Sequence, residues 1–544
     1  MVRRILLPLF LVPALVAAPT PGMRPKLVVV IVVDQFSAEL MQTYGPELTG
    51  GIARLRQEGV CFTEAYHDHG FTETGPGHSV LLSGRFPAHT GIVENRWLDR
   101  ATGKFVYCVE DSSARSLAAP GQASASNARF LGDGLGDWLQ AQVPGSRVFA
   151  LSGKDRAAIL MAGRQPTGVF WFAGPAGFTS STAYGTRLPA WLVNYDQGLS
   201  SRIGTDSWLW SKDPATPEGR SAQWTFGSVT VRNGGLPRLI QGAGMPLDRG
   251  FEARFRKSPF LDAVTLEAAE ALLDGEHLGR GPGTDLLALS FSATDYIGHN
   301  YGTLGTEMRD QLHRLDQGLG RLLDLLRREH PDAWVVLSAD HGGLDIPEAL
   351  ADQGFPARRL LAGPFMAALQ ADLRGAFKVE RDLLLPTAEP NTLYLDESAL
   401  KATKLDRREV LGRVQSWLRA RPEVAEAFTA EELQATDPAA TGSPRDSSLR
   451  VLLRRSFRPE RSGDILLALK PFVIIGQPPT EYPATHGSPN AYDRRVPLIF
   501  WGPWKGGERR EPVRTVDLAP TLARELGIQP GAVDGKALDL GARK

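Results

Sequence analysis

Three short stretches place carboxylates and imidazoles where they could share a cation. TDYIGHNYG sets Asp295 and His299 four residues apart, ADHGG puts Asp340 directly before His341, and THGSPNAYDRRVPLIFWG carries His486. Asp34, closing LVVVIVVD, is a sixth residue of this kind. Carboxylate oxygen and imidazole nitrogen are ligands that a catalytic zinc accepts while leaving a position for substrate, and six are enough for two ions in one site. Any one Asp-His pair after a strand is more often a capping or hydrogen-bonding pair. Delivery of all six to one edge of one sheet is what points to a metal centre.

A fourth stretch, FTETGPGHSVLLSG at 71–84, offers a nucleophile. Thr74 precedes Gly-Pro-Gly and an apolar run, from about His78 to Leu82, that reads as helix. An anion bound there would meet free backbone N–H groups and the positive end of the helix dipole. An alcohol attacks poorly unless a base or metal activates it, and a ligated metal ion would supply that activation. A plain helix N-cap is the structural alternative for Thr74. Thr72 competes for the chemical role, and only the register with His78 favours Thr74.

The elements that must position these residues are short β-branched runs ending in polar residues. KLVVVIVVDQ ends at Asp34, SRVFALSGKDR at Lys154 and Arg156, DLLALSFSATD at Asp295, and AWVVLSADHGG at Asp340 and His341. A further strand is expected over 497–501, just after His486. Continuous apolar strands alternating with helical patterns at 131–142 and 307–328 predict an α/β fold: a doubly wound, mostly parallel sheet with helices on both faces. In such sheets ligands bind beyond the carboxyl ends of the strands. The Trp-, Gly- and Arg-rich region near 180–260 and the helix and hairpin patterns near 375–480 read as inserted cap elements, and the Ala/Ser/Gly stretch 112–128 as an exposed loop.

Lys plus Arg and Asp plus Glu each number 61 in the 544 residues, so net charge gives no reason to expect a nucleic-acid or anionic membrane partner. MVRRILLPLFLVPALVAA opens with two arginines and an apolar run too short for a comfortable membrane span. It predicts a signal peptide at 1–18, a periplasmic or secreted protein with its single catalytic domain over 19–544, and no stable membrane span. The two cysteines, Cys61 and Cys108, form no zinc motif; in an oxidising compartment they could bridge, or stand as two buried thiols.

TGPGHSVLLSGRFPAHTGIVENRW, SGKDR, TDYIGHNYG, ADHGG and THGSPNAYDRRVPL together resemble the motifs of the alkaline phosphatase superfamily. They are most similar to those of the phosphate-irrepressible alkaline phosphatases, which use threonine as nucleophile. The resemblance implies a phosphate monoester hydrolase with two Zn2+ ions. Asp295, His299 and His486 would ligate one, Asp34, Asp340 and His341 the other, with Thr74 bridging toward the second as nucleophile. It further implies that Asn95, Lys154 and Arg156 hold the phosphoryl oxygens of small-molecule monoesters, and that GFTSSTAY at 177–184 with the neighbouring Trp-rich segment lines the approach. Physical chemistry agrees with the assignment. Phosphoryl transfer needs charge held on equatorial oxygens while two metals stabilise the apical ones, and Arg156 brings a planar fork of donors where Lys154 brings a compact charge.

A nucleotide pyrophosphatase/phosphodiesterase of the same superfamily is the alternative. It would handle a diester with one negative charge and need less positive charge around phosphate. A sulfatase lacks support, because the Cys/Ser-x-Pro-x-Arg motif is absent. Oligomeric state has no sequence signal.

Overall fold

The computed structural model describes residues 24–544 apart from 120, 204–206, 210–221, 227–228, 234, 237, 241–247, 249, 388–390, 440–441 and 480–481. The expected signal peptide at 1–18 lies outside the described residues. No helix among them is long and apolar enough to cross a membrane.

Ten strands make the central sheet: β1 Leu27–Val33, β2 Val60–Tyr66, β3 Val148–Ser152, β4 Gly168–Phe172, β5 Phe178–Thr179, β6 Asp285–Phe291, β7 Trp334–Ser338, β8 Arg495–Trp501, β9 Gly507–Arg509 and β10 Val513–Arg514. Their order is β9-β2-β8-β7-β1-β6-β3-β4-β5, with β10 also beside β2. The run β7-β1-β6-β3-β4 is parallel, whereas β8 is antiparallel to both its neighbours and β5 to β4. In β1, Leu27, Val29, Ile31 and Val33 join one core and Val28, Val30 and Val32 the other, and every one is fully buried. That two-sided burial is why the strand reads as an unbroken apolar run.

Helices Gly51–Glu58, Phe260–Gly275 and Thr306–Glu329 cover the first face; Thr74–Ser83, Leu135–Gln142, Asp155–Met161 and Leu518–Leu526 cover the second. The helix expected from residue 131 begins at Leu135. Gly134 is its N-cap, and the Gly134 N–H donates to Asp137 Oδ2 at 2.8 Å, which fixes the start. The stretch 112–128 is not simply a loop, since Glu110–Arg115 pairs antiparallel with Ala123–Ala125.

A separate core runs from Leu369 to Ile475. It is built on an antiparallel sheet of Thr392–Leu393, Ile465–Leu469 and Val424–Thr429, beside a parallel pair of Arg358–Leu361 with Val473–Gly476. These elements begin at Arg358, ahead of residue 375. Of the Trp-rich region, Trp191 packs edge-on against Phe170 and Trp208 is fully buried with its N–H on Asp310. The Trp208 ring belongs to the core and the Trp191 ring packs against it.

Both cysteines are free and buried. Cys61 packs in the core on one face of the sheet and Cys108 in the core on the other, so the sheet stands between them and the bridge cannot form. Burial pushes the Cys61 thiol up to about 11 and that of Cys108 further still, which makes both inert. Thiol titration of native protein is therefore expected to find none, and of denatured, unreduced protein to find two per chain. No thiol in the denatured sample would show a bridge.

Candidate active site

Strand register brings the first site residues together. Ser152, Ser290, Val32 and Ser338 lie in one row across β3, β6, β1 and β7. Two residues on in the chain from Ser152, Val32 and Ser338 stand Lys154, Asp34 and Asp340, just past the carboxyl ends of their strands. Asp295 sits in the first turn of helix Ala293–Tyr301 just beyond β6, and His299 one turn later. His486 precedes β8. Because β8 is antiparallel, its start lies at the edge where the parallel strands end, and this is how a residue ahead of a strand reaches the same site.

The three expected histidine ligands are oriented in one way. Nδ1 of His299 faces the Ala484 carbonyl, that of His341 the Gly342 carbonyl and that of His486 the Thr72 carbonyl, each at 2.8 Å. A carbonyl can only accept, so each Nδ1 carries the proton and each ring turns inward its Nε2, whose lone pair a cation could take. Burial pulls His341 and His486 below the usual histidine range, which keeps those rings neutral.

Those lone pairs face carboxylate oxygens. His299 Nε2 and His486 Nε2 lie 3.2 and 3.4 Å from Asp295 Oδ1; His341 Nε2 lies 3.3 Å from Asp340 Oδ2 and 3.5 Å from Asp34 Oδ1. Asp34 Oδ1 and His341 Nε2 are buried and make no hydrogen bond among the described residues, and Asp340 Oδ2 faces His78 Nδ1 at 3.0 Å. Acceptors converging without a proton between them repel one another, and a bound cation removes that cost. Ligand atoms of Asp295, His341 and His486 lie within 4.8 Å of one another, as do those of Asp34, His78 and Asp340. The donor set fits zinc.

Charges follow the same pattern. Burial and then the Asp340 charge hold Asp34 well above the usual carboxylate range. Burial acts upward on Asp295 too, but Lys154 and then His299 bring it well below that range. The Lys154 ammonium, against the cost of its own burial, is kept charged by Asp295 and Asp34, at 2.5 and 2.7 Å.

Thr74 is the first residue of helix Thr74–Ser83, with Glu73 as N-cap, so the helix starts earlier than expected and the capping alternative for Thr74 does not hold. Pro76 fits the first turn because its missing N–H would have no helical partner there. Gly77 is required: a Cβ would come within 2.1 Å of the Asp340 carbonyl oxygen, so only glycine lets this helix reach β7's end. The Thr74 hydroxyl has Arg156 Nη2 at 3.2 Å and Lys154 Nζ at 3.4 Å. The Thr72 hydroxyl instead donates to the Ser488 carbonyl at 2.8 Å, and is engaged in structure.

The expected row of free N–H groups is thinner than the sequence suggests. Gly75 N–H donates to Asn95 Oδ1 at 2.7 Å, Gly77 N–H to the Glu73 carbonyl, and Pro76 has none. Asn95 thus spends its acceptor on the helix and keeps its amide N–H donors. The hydrogen bonds of GFTSSTAY run to residues 115–118 and Asp196.

Other residues at the site were not among the expected site residues. His78 is fully buried, with Nδ1 2.9 Å from the Thr74 carbonyl and 3.0 Å from Asp340 Oδ2, and Nε2 2.9 Å from Ser290 Oγ; both nitrogens are spent, so it ties elements together. Gln35 adopts φ 64°, rare without glycine, and holds Asp340 Oδ1 by its N–H and Asp295 Oδ1 by its amide. Tyr107 Oη accepts from Arg156 Nη1 at 3.2 Å and donates to Asp155 at 2.6 Å.

A family profile, type I phosphodiesterase/nucleotide pyrophosphatase, matches residues 28–488. The chain belongs to that family, within the alkaline phosphatase superfamily. Among its members, alkaline phosphatase PhoK of a Sphingomonas species is 38% identical over 537 residues, covering 96% of this chain and 92% of the relative. The crystal structure of alkaline phosphatase PafA superposes with a TM-score of 0.81 at 27% identity, covering 96% of this chain and 99% of that one. A PafA variant substituted at a threonine, an asparagine, a lysine and an arginine superposes with a TM-score of 0.79 at 27% identity and the same coverage.

Proposed function

We propose that this member of the family is a phosphate monoester hydrolase that works with two Zn2+ ions through a phospho-threonine intermediate on Thr74. The observation that carries the reading is the set of inward Nε2 atoms facing carboxylate oxygens beside the Thr74 hydroxyl, with Asp34 Oδ1 and His341 Nε2 unpartnered among the described residues. Asp295, His299 and His486 would hold one ion, and Asp34, Asp340 and His341 with Thr74 the other. Bound there, the ions supply Lewis-acid stabilisation of the attacking and leaving oxygens.

The protein's own groups do the rest. Lys154 and Arg156 surround the hydroxyl with positive charge, favouring its alkoxide and meeting the phosphoryl oxygens. Asn95 adds neutral donors. Tyr107 and Asp155 hold the guanidinium in place. Hydrolysis of the phospho-threonine by water then restores the alcohol and releases phosphate. The residue types substituted in the solved PafA variant match Thr74, Asn95, Lys154 and Arg156 in type and order, which supports giving them these roles. The names of the relatives favour monoesters. The name of the family profile favours diesters, and is the basis of the second reading: a nucleotide pyrophosphatase/phosphodiesterase. The export expectation rests on residues 1–18 alone, with residues 19–544 taken as one catalytic domain carrying the inserted caps.

Exhaustive chelation is expected to abolish hydrolysis of an aryl phosphate and added zinc to restore it, with metal analysis of the active protein finding about two zinc ions per chain. Fewer than about one would rule out a two-metal site.

A further inference from the structure

Tyr482 stands out among the large side chains that remain exposed: 43% of it is accessible, yet its ring is packed 4.4 Å from the His299 ring at a 50° tilt. Its position is built. Arg359 donates to the Tyr482 carbonyl at 3.0 Å and to the Pro483 carbonyl at 2.5 Å, and is itself gripped by both oxygens of Glu348 at 2.8 and 2.9 Å. Two residues on, Ala484 is buried against Ile346 and Ala349, its N–H donating to the His299 carbonyl and its carbonyl accepting from His299 Nδ1. The ring is therefore held at the rim before any substrate arrives, and little ordering cost remains to be met on binding.

On the two-ion reading, with Thr74 on the side of Asp34, Asp340 and His341, in-line displacement would direct the ester oxygen toward Asp295, His299 and His486. Tyr482 covers His299 on that side.

We infer that Tyr482 is a specificity-determining contact for the leaving group, its exposed face stacking on flat rings and so favouring phosphate monoesters of aryl alcohols over those of small alkyl alcohols. The inference rests on the monoesterase reading above. Offset or tilted aromatic pairs give roughly a three- to tenfold preference of this kind.

The test compares kcat/KM for phenyl phosphate and for methyl phosphate in wild type, Tyr482→Ala and Tyr482→Phe, with zinc content and inhibition by inorganic phosphate measured in each. Tyr482→Ala should lose roughly three- to tenfold on phenyl phosphate and less than about twofold on methyl phosphate, with zinc content and phosphate inhibition unchanged. Tyr482→Phe should keep the phenyl preference. Equal losses on both substrates, no loss on either, or a Tyr482→Phe variant as impaired as Tyr482→Ala would each overturn the role. Wild-type protein inactive on both esters would instead sink the monoesterase reading, an outcome distinct from these.

Discussion

Thr74→Ala is expected to retain both zinc ions and the wild-type melting temperature while losing at least about a thousandfold in turnover of an aryl phosphate, because removal of a covalent nucleophile abolishes the path. The alanine is helix-compatible at the first position of Thr74–Ser83, and the hydroxyl has Lys154 and Arg156 as its partners, so no structural bond of the helix is lost. Thr74→Ser keeps an oxygen in place and should retain a measurable rate. Acid quenching with labelled substrate should leave label on Thr74. Label on Thr72, whose hydroxyl is tied to the Ser488 carbonyl, would overturn the assignment, as would a near-wild-type rate in Thr74→Ala.

The second large effect concerns substrate class. A monoester brings nearly two negative charges and a third unblocked non-bridging oxygen where a diester has an ester group. Charge-assisted hydrogen bonds to that oxygen contribute roughly 1.5 to 3 kcal/mol each, about ten- to a hundredfold in rate when expressed in the transition state. Replacing Lys154 and Arg156 together by alanine should lower monoester kcat/KM by two orders of magnitude or more, and lower methyl diester hydrolysis much less. The losses need not add, since both side chains reach the same hydroxyl. Lys154 also lies between Asp34 and Asp295, so its removal alone changes the charge around the proposed metal ligands, and Arg156→Ala is the cleaner single variant. Equal losses on the two substrates with zinc content unchanged would move the diesterase reading ahead.

The sheet and its polar strand ends were legible in the chain because two-sided burial writes itself as unbroken apolar runs, and a residue that interrupts such a run must lie at an edge. Asp34, Lys154 and Asp340 could be picked out on that ground. The helix limits were less legible. Thr74 opens its helix rather than preceding it, since glycine and proline, read along the chain as a turn, are compatible with a first helical turn that needs few N–H donors and must pack closely on Asp340.

The sequence by itself determined the chemistry on offer: which residues can ligate a hard cation, which two threonine hydroxyls lie near a helix start, and that the strands carrying them are mostly parallel. Only the tertiary structure decided how these meet. The register row linking β3, β6, β1 and β7, the reversed β8 that delivers His486, and the carbonyls of Ala484 and Thr72 that turn His299 and His486 inward are all relations between distant segments. The same holds for Cys61 and Cys108, two similar thiols in the chain that the sheet keeps on opposite faces. Residue type sets what a group can do, but orientation and separation depend on backbone atoms whose positions come from packing across the whole sheet, and local sequence carries no record of them.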